Sequence, residues 1–205
     1  MARLFEIHPE DPNPRAVRQV AELIRADGLL AYPTDSGYAL GCRMGNREGK
    51  ERIAAIRRLD ERHHYTLMCH DFAQLGPLVQ IDNAVFRAIR AATPGPYTFI
   101  LPATKEVPRR VLQPRKKTVG VRIPDHAVDL AILAELGEPL LTSTLILPGE
   151  ATAMTQGWQV KELLDDDVDG VVDGATGDEP TTVVDWSNGN PEVTRRGAGD
   201  PTPFE

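Results

Sequence analysis

The chain has 205 residues, 41% of them hydrophobic, which suits one well-buried domain spanning 1–205 better than two small ones. No run approaches the ~20 apolar residues of a bilayer span, and the N-terminus lacks a signal peptide's apolar core, so a cytoplasmic protein with reduced thiols and no membrane partner is expected. The formal net charge of −7 argues against a protein that simply coats nucleic acid, and two distant cysteines, Cys42 and Cys69, match no metal or redox spacing.

In chain order, Leu4 to Ile7 predicts a short first strand. Asn13-Pro14 starts a helix, a capping side chain followed by a proline whose missing N–H costs nothing there. Val17, Val20, Ala21 and Ile24 fall on one face of it, and Gly28 is expected to stop it. Leu29 to Tyr32 then reads as a buried strand stopped by Pro33. The polar groups Thr34, Asp35, Ser36 and Tyr38 follow, with Gly37 and Gly41 free to adopt positive φ or to let backbone approach closely. A strand, an abrupt stop and a polar cluster describe a small-molecule pocket at the end of a sheet strand.

Asn46 caps a second helix, with Ile53 and Ile56 inward and Lys50, Arg52, Arg57 and Arg58 outside. Thr66 to His70 is a short strand, Asp71 caps a brief helix ending at Gly76-Pro77, and Asp82 caps another with Val85, Phe86 and Ile89 as its core face. Pro94-Gly95-Pro96 forces a turn before the strand Tyr97 to Leu101. Thr118 to Ile123 is a further strand, and Asp125 is expected to cap a helix carrying Val128, Ile132, Leu133 and Leu136 up to Gly137. Leu140 to Thr144 is strand-like, 146–157 a loop, and Trp158 to Leu164 a short helix. Val171-Val172 and Thr181 to Trp186 read as strands, and Asn188-Gly189 before Glu192–Arg196 signals a hairpin. Strands alternating with helices give an α/β fold: a single-domain twisted, mixed open sheet flanked by helices.

Several strands end in groups suited to an anionic ligand: Thr34 and Ser36, His70, Arg122, Thr142 and Ser143, and Thr181, with Arg195 and Arg196 before a Gly-Ala-Gly. No phosphate loop or nucleophile elbow is present. His63-His64 looks like a metal pair, but adjacent side chains diverge, so a solvated turn and no metal site are expected. Between Lys105 and Arg122 seven cations face one acid, while 161–185 is acidic, so one localised basic segment stands in an acidic protein.

Tyr32-Pro33-Thr34-Asp35-Ser36-Gly37-Tyr38-Ala39-Leu40-Gly41 resembles a signature segment of the YrdC/YciO family. So do Pro94-Gly95-Pro96-Tyr97-Thr98-Phe99-Ile100-Leu101, Val119-Gly120-Val121-Arg122-Ile123-Pro124, and Thr181-Thr182-Val183-Val184-Asp185 with Arg196-Gly197. These stand in family order across the chain, and Thr66-Leu67-Met68-Cys69 and Lys105-Glu106-Val107-Pro108-Arg109-Arg110 look most like the YciO branch. The resemblance implies a YrdC-like fold and a threonylcarbamoyl-AMP synthase-like activity. That activity takes L-threonine, bicarbonate and ATP with Mg2+, without a prosthetic group, in the tRNA N6-threonylcarbamoyladenosine pathway. It implies Thr34, His70, Arg122, Ser143 and Thr181 around threonine, and Arg57, Arg58, Thr118 and Arg196 on the nucleotide side. The family's Lys-x-Arg becomes Arg57-Arg58-Leu59, and its Ser-x-Asn becomes Ser143-Thr144-Leu145. The alternatives are a YciO-type protein that binds double-stranded RNA through Arg115, Lys116 and Lys117, touching RNA or tRNA-modification partners, and an enzyme acting on another nucleotide or carboxylated molecule.

Overall fold

The computed structural model describes residues 1–60 and 63–205. Ten strands and six α-helices follow one another: β1 (Arg3–Glu6), α1 (Pro14–Arg25), β2 (Leu30–Thr34), β3 (Gly37–Arg43), α2 (Arg47–Arg57), β4 (Thr66–Met68), α3 (Phe72–Leu75) and α4 (Asn83–Ala92). Then come β5 (Tyr97–Pro102), β6 (Thr118–Arg122), α5 (Ala127–Leu136), β7 (Leu140–Thr144), α6 (Gly157–Leu164), β8 (Gly170–Asp173), β9 (Thr182–Asp185) and β10 (Glu192–Arg195). The strands form one mixed sheet in the order β1-β8-β2-β3-β7-β4-β6-β5-β9-β10. Parallel pairs, β1 with β8, β8 with β2, β4 with β6 and β5 with β9, are mixed with antiparallel ones. The α/β mixed sheet read from the sequence is the observed fold.

The start of α1 follows its sequence signal: Asn13 Oδ1 accepts from the Arg15 N–H at 2.9 Å and Pro14 fills the first helical position. The stretch after it differs from expectation. Pro33 does not stop a strand but pairs with Tyr38 in a tight β2–β3 hairpin. β8 pairs with β2 only at Leu30 and Ala31, so Pro33 lies past that ladder, where a missing N–H breaks nothing on that side. Gly37 makes the reversal with φ 97°, and a Cβ there would lie 2.5 Å from the Ala153 methyl. Tyr38 is not a site residue, because it is fully buried and its hydroxyl donates to the Val172 carbonyl at 2.9 Å. At α5 the capping position falls on His126, not Asp125, whose N–H is used instead by Asp35 Oδ2 at 3.1 Å.

Strand alternation sorts the core onto two faces. Leu30, Tyr32, Ala39, Met68 and Leu140 join Val20, Ile24, Ile132 and Leu133 beneath α1 and α5. Leu29, Leu40, Leu67, Phe99, Val121 and Leu141 pack with Ile53 and Ile89 on the other face. The helices α1 and α5 thus pack on one half of their face. On β4, β5, β6 and the end of β7, the same face carries Thr66, Thr98, Thr118, Thr142 and Thr144, and Thr181 stands just before β9.

Candidate functional site

That part of the sheet floors a cavity of about 310 Å³. Alternation places Thr66 and Met68 of β4, Thr98 and Ile100 of β5, and Gly120 and Arg122 of β6 toward it. Gly120 is required, since a Cβ there would come within 2.8 Å of the Thr66 hydroxyl. Thr142 and Thr144 line it from β7, Thr181 and Val183 from the region of β9, and Thr34 and Ser36 from the β2–β3 hairpin. Lining hydroxyls therefore outnumber lining apolar groups, a composition made to hydrogen-bond a small polar ligand.

Three guanidinium groups enter this setting. Arg122 is 5% exposed, donates to Asp35 through Nη2 and to the Ser36 hydroxyl through Nη1 at 3.1 Å, and leaves a buried Nε without a hydrogen-bond partner. Arg57, at the end of α2, donates to the Ser143 hydroxyl and, at 3.4 Å, to the Ile146 carbonyl. Arg195 donates to the Thr181 carbonyl and hydroxyl at 2.9 and 2.8 Å, and Thr181 shares a 2.9 Å contact with Thr98. Burial pushes the pKa of Arg57 and of Arg195 down, and among the described residues neither meets a carboxylate within ion-pair distance. Arg57, partly buried, is a cation costly to bury alone and favours an anionic ligand, while Arg195 is exposed and adds its charge at the rim.

By the alternation of β7, Ser143 faces away from Thr142 and Thr144, toward Arg57 and His63, and closes that end of the cavity. His63 Nε2 lies 3.0 Å from the Ser143 hydroxyl and 3.4 Å from Arg57 Nη1. Burial first, then the Arg57 charge, lowers His63 to about 4, so the ring is neutral at physiological pH. Both His63 and His64 line the cavity, where the sequence suggested a solvated turn. A histidine six residues past a helix-end arginine carries no specific signal, and only the folded loop shows its place. Among the described residues no group of three or more His, Cys, Asp or Glu could hold a metal ion.

Of the residues expected at the site, Thr34, Arg57, Arg122, Ser143 and Thr181 share the cavity, and four do not. His70 lies outside because β4 ends at Met68; its imidazole turns to Asp71 at 3.1 Å, and its N–H donates to Gln74 Oε1. Arg58 is the left-handed cap of α2 at φ 51° and is exposed, outside the cavity lining. Thr118 lies on the cavity face of β6 but at its opposite end from Arg122, outside the cavity, with its buried hydroxyl unpaired. Arg196 pairs with Glu205 and is exposed. A bulge in β10 makes Val193 and Arg195 pair with consecutive residues of β9, so Thr194 and Arg195 both turn to the cavity and Arg195 takes the place expected for its neighbour. Arg115, Lys116 and Lys117 lie outside the cavity on the exposed segment before β6, with Lys116 3.4 Å from Asp185.

Beneath the Arg122 end sits a buried acid. Asp129 of α5 is 1% exposed, and its carboxylate has no hydrogen-bond donor, for His126 Nδ1 stands off at 3.5 Å. Burial raises it to about 6, with His126 and Arg122 opposing and Asp35 adding to the rise. A folded state that holds this proton while the unfolded chain releases it loses stability as pH climbs from about 4 to about 6. Above that range His126 gives up its own proton and withdraws its attraction, which pushes the same way. Asp129→Asn is therefore expected to gain on wild type with rising pH, by up to about 3 kcal/mol between pH 4 and pH 8. Urea denaturation of both proteins across that range checks it, and a pH-independent difference refutes it.

A protein-family model for Sua5, YciO and YrdC, described as telomere recombination, matches residues 22–197. The chain belongs to this family. Among Sua5/YciO/YrdC relatives, YciO of Escherichia coli strain K12 is 44% identical over 205 residues, all of both chains, and a Haemophilus influenzae protein is 44% identical over 206 residues. The crystal structure of E. coli YciO superposes with a TM-score of 0.96 over 100% of each chain. P. abyssi Sua5, solved in complex with L-threonine, shares the fold with a TM-score of 0.86 at 24% identity, covering 95% of this chain and 57% of Sua5. Among the described residues no helix is long and apolar enough to cross a membrane.

Proposed function

We propose that the cavity binds L-threonine and that the protein is a cytoplasmic threonylcarbamoyl-AMP synthase-like enzyme of tRNA modification. The observation that carries this reading is Arg122, nearly fully buried beside a floor of threonine hydroxyls, with one N–H still unpaired. A carboxylate supplies the acceptor that this N–H lacks, and Thr34, Thr98 and Thr181 are placed to meet an amino acid's remaining polar groups. The likeness to a fold-mate solved with L-threonine supports the same ligand.

In the proposed reaction threonine and bicarbonate give the carbamate with loss of water. A carbamate oxygen then bonds to the α-phosphorus of ATP as the bond to the β-phosphate bridge breaks and pyrophosphate leaves. Mg2+ enters with the nucleotide as part of the substrate. Alignment and charge neutralisation suffice for such a transfer, and no protein nucleophile is needed. The two thiols suit no such role, since burial pushes Cys42 and Cys69 up to about 12. Arg57 stands at the end where carbamate and nucleotide would meet.

Incubation with threonine, bicarbonate and Mg-ATP is expected to release pyrophosphate and form the adenylate only when all three are present. Neither product above a no-enzyme control would refute the activity. A screen in which threonine fails to raise Tm while another carboxylate does would move the reading to a different small molecule.

A second reading concerns RNA. The 103–117 segment before β6 carries Lys105, Arg109, Arg110, Arg115 and Lys117, all exposed, and among the described residues none of these is in a salt bridge. A surface of this kind suits a polyanion, and a tRNA-pathway enzyme can use it beside its cavity. The triple charge reversal of Arg115, Lys116 and Lys117 to Glu is expected to weaken double-stranded RNA binding alike across sequences and to flatten its log–log salt dependence by about 2–3. Unchanged affinity in that variant would remove RNA from the account.

A further inference from the structure

The hydrogen bonds at the Ser143 end of the cavity have a direction that the chemistry of their donors fixes. Arginine only donates, so in its contact with Arg57 the Ser143 oxygen is the acceptor. The same rule makes His63 Nε2 the acceptor from Arg57 Nη1 at 3.4 Å, which places the single imidazole proton on Nδ1. Among the described residues the Ser143 hydroxyl proton then has one recorded acceptor, the Nε2 lone pair of His63, which lies closer to Ser143 at 3.0 Å than to Arg57 at 3.4 Å. With its proton so committed, Ser143 offers the cavity a lone pair and no donor, while Arg57 beside it offers positive charge. A bare ammonium group would gain the lone pair but meet the Arg57 charge. An –NH–CO2⁻ group satisfies both, its N–H donating to Ser143 and its carboxylate facing Arg57.

We propose that His63 is a positioning residue that, by taking the Ser143 proton, sets this end of the cavity to receive the –NH–CO2⁻ group of an amino-acid carbamate in preference to a free amine. The inference rests on the reading that the cavity binds threonine, and adds which end takes the carboxylated nitrogen and which residue sets the polarity there. His63 acts only through Ser143 and Arg57, so its removal is read as a change in ligand preference.

The experiment is a titration of the protein with L-threonine in bicarbonate-free buffer and in saturating bicarbonate, followed by Tm and calorimetry, for wild type, His63→Phe and His63→Gln. In wild type, bicarbonate is expected to tighten the apparent affinity for threonine about tenfold, the size of one charge-assisted hydrogen bond. His63→Phe, which has no acceptor, is expected to lose that gain. His63→Gln, whose side-chain oxygen can take the Ser143 proton, is expected to regain part of it. A gain of equal size in all three proteins overturns the proposal. Imidazole nitrogen NMR of the ligand-free protein supplies an arm that does not depend on threonine. His63 should be neutral with its proton on Nδ1 at pH 7, and its Nε2 resonance should move in Ser143→Ala. A ring protonated on Nε2, or an Nε2 signal indifferent to Ser143→Ala, overturns the assignment. Wild type that ignores threonine while this signature holds would instead refute the threonine reading.

Discussion

Replacing Arg122 with methionine is expected to cost about 3–5 kcal/mol of stability and to abolish any threonine-induced rise in Tm. The stability loss comes from what remains behind. The Asp35 side chain is 12% exposed, and without Arg122 its nearest cation is gone, leaving the Asp125 N–H at 3.1 Å to hold a largely desolvated charge. That carboxylate also ties the β2–β3 hairpin to the chain entering α5, so the damage reaches α5 as well. The double variant Asp35→Asn, Arg122→Met removes the orphaned charge and is expected to recover at least half the loss, yet still to ignore threonine. The pair of results separates support of the fold from ligand binding: recovered stability with no ligand response is the expected pattern. A single variant within about 1 kcal/mol of wild type would mean that the Asp35–Arg122 pair carries little of the hairpin's order.

The second large effect concerns Leu145, at the position that the resemblance matches to the asparagine of Ser-x-Asn. Leu145→Asn is expected to destabilise the protein by about 3–5 kcal/mol and to confer no gain in pyrophosphate release. Leu145 is fully buried and packs in the larger apolar cluster. Its backbone N–H donates to the Tyr38 carbonyl at 2.8 Å, and its carbonyl accepts from the Met154 N–H at 3.0 Å. Asparagine would leave a void where the leucine methyls sat and bury an amide with no partner provided. Chemical denaturation measures the cost. A variant as stable as wild type and newly active would show that the 145 side chain can swing to the cavity, against its placement in the core.

How much of this was legible beforehand depends on whether the deciding interaction is local. Asn13-Pro14 announces α1 because capping is settled within three residues, and the apolar face of that helix follows from its period. The mixed sheet followed from strands alternating with helices. The β2–β3 hairpin was hidden because both its strands are buried almost throughout, which leaves no alternation to read, and because the harm a proline does depends on which neighbour ends where. The exchange of Arg196 for Arg195 turns on a bulge between β9 and β10, a property of pairing that one strand's residues do not reveal. His70 was displaced by a strand ending two residues early. His63 was the least visible, since its role arises from Ser143, eighty residues on, and from Arg57 at a helix end.

The bulged hairpin at the end of the sheet has a consequence for the protein's synthesis. The cavity takes residues from Thr34 through to Arg195, and β9 and β10 form the edge farthest from β1. No fragment that stops short of β10 carries the whole site, and a nascent chain lacks it until Arg195 is free to pair. Ligand can therefore stabilise only the finished product, never an early intermediate. A small molecule bound there would act as a check on completed assembly.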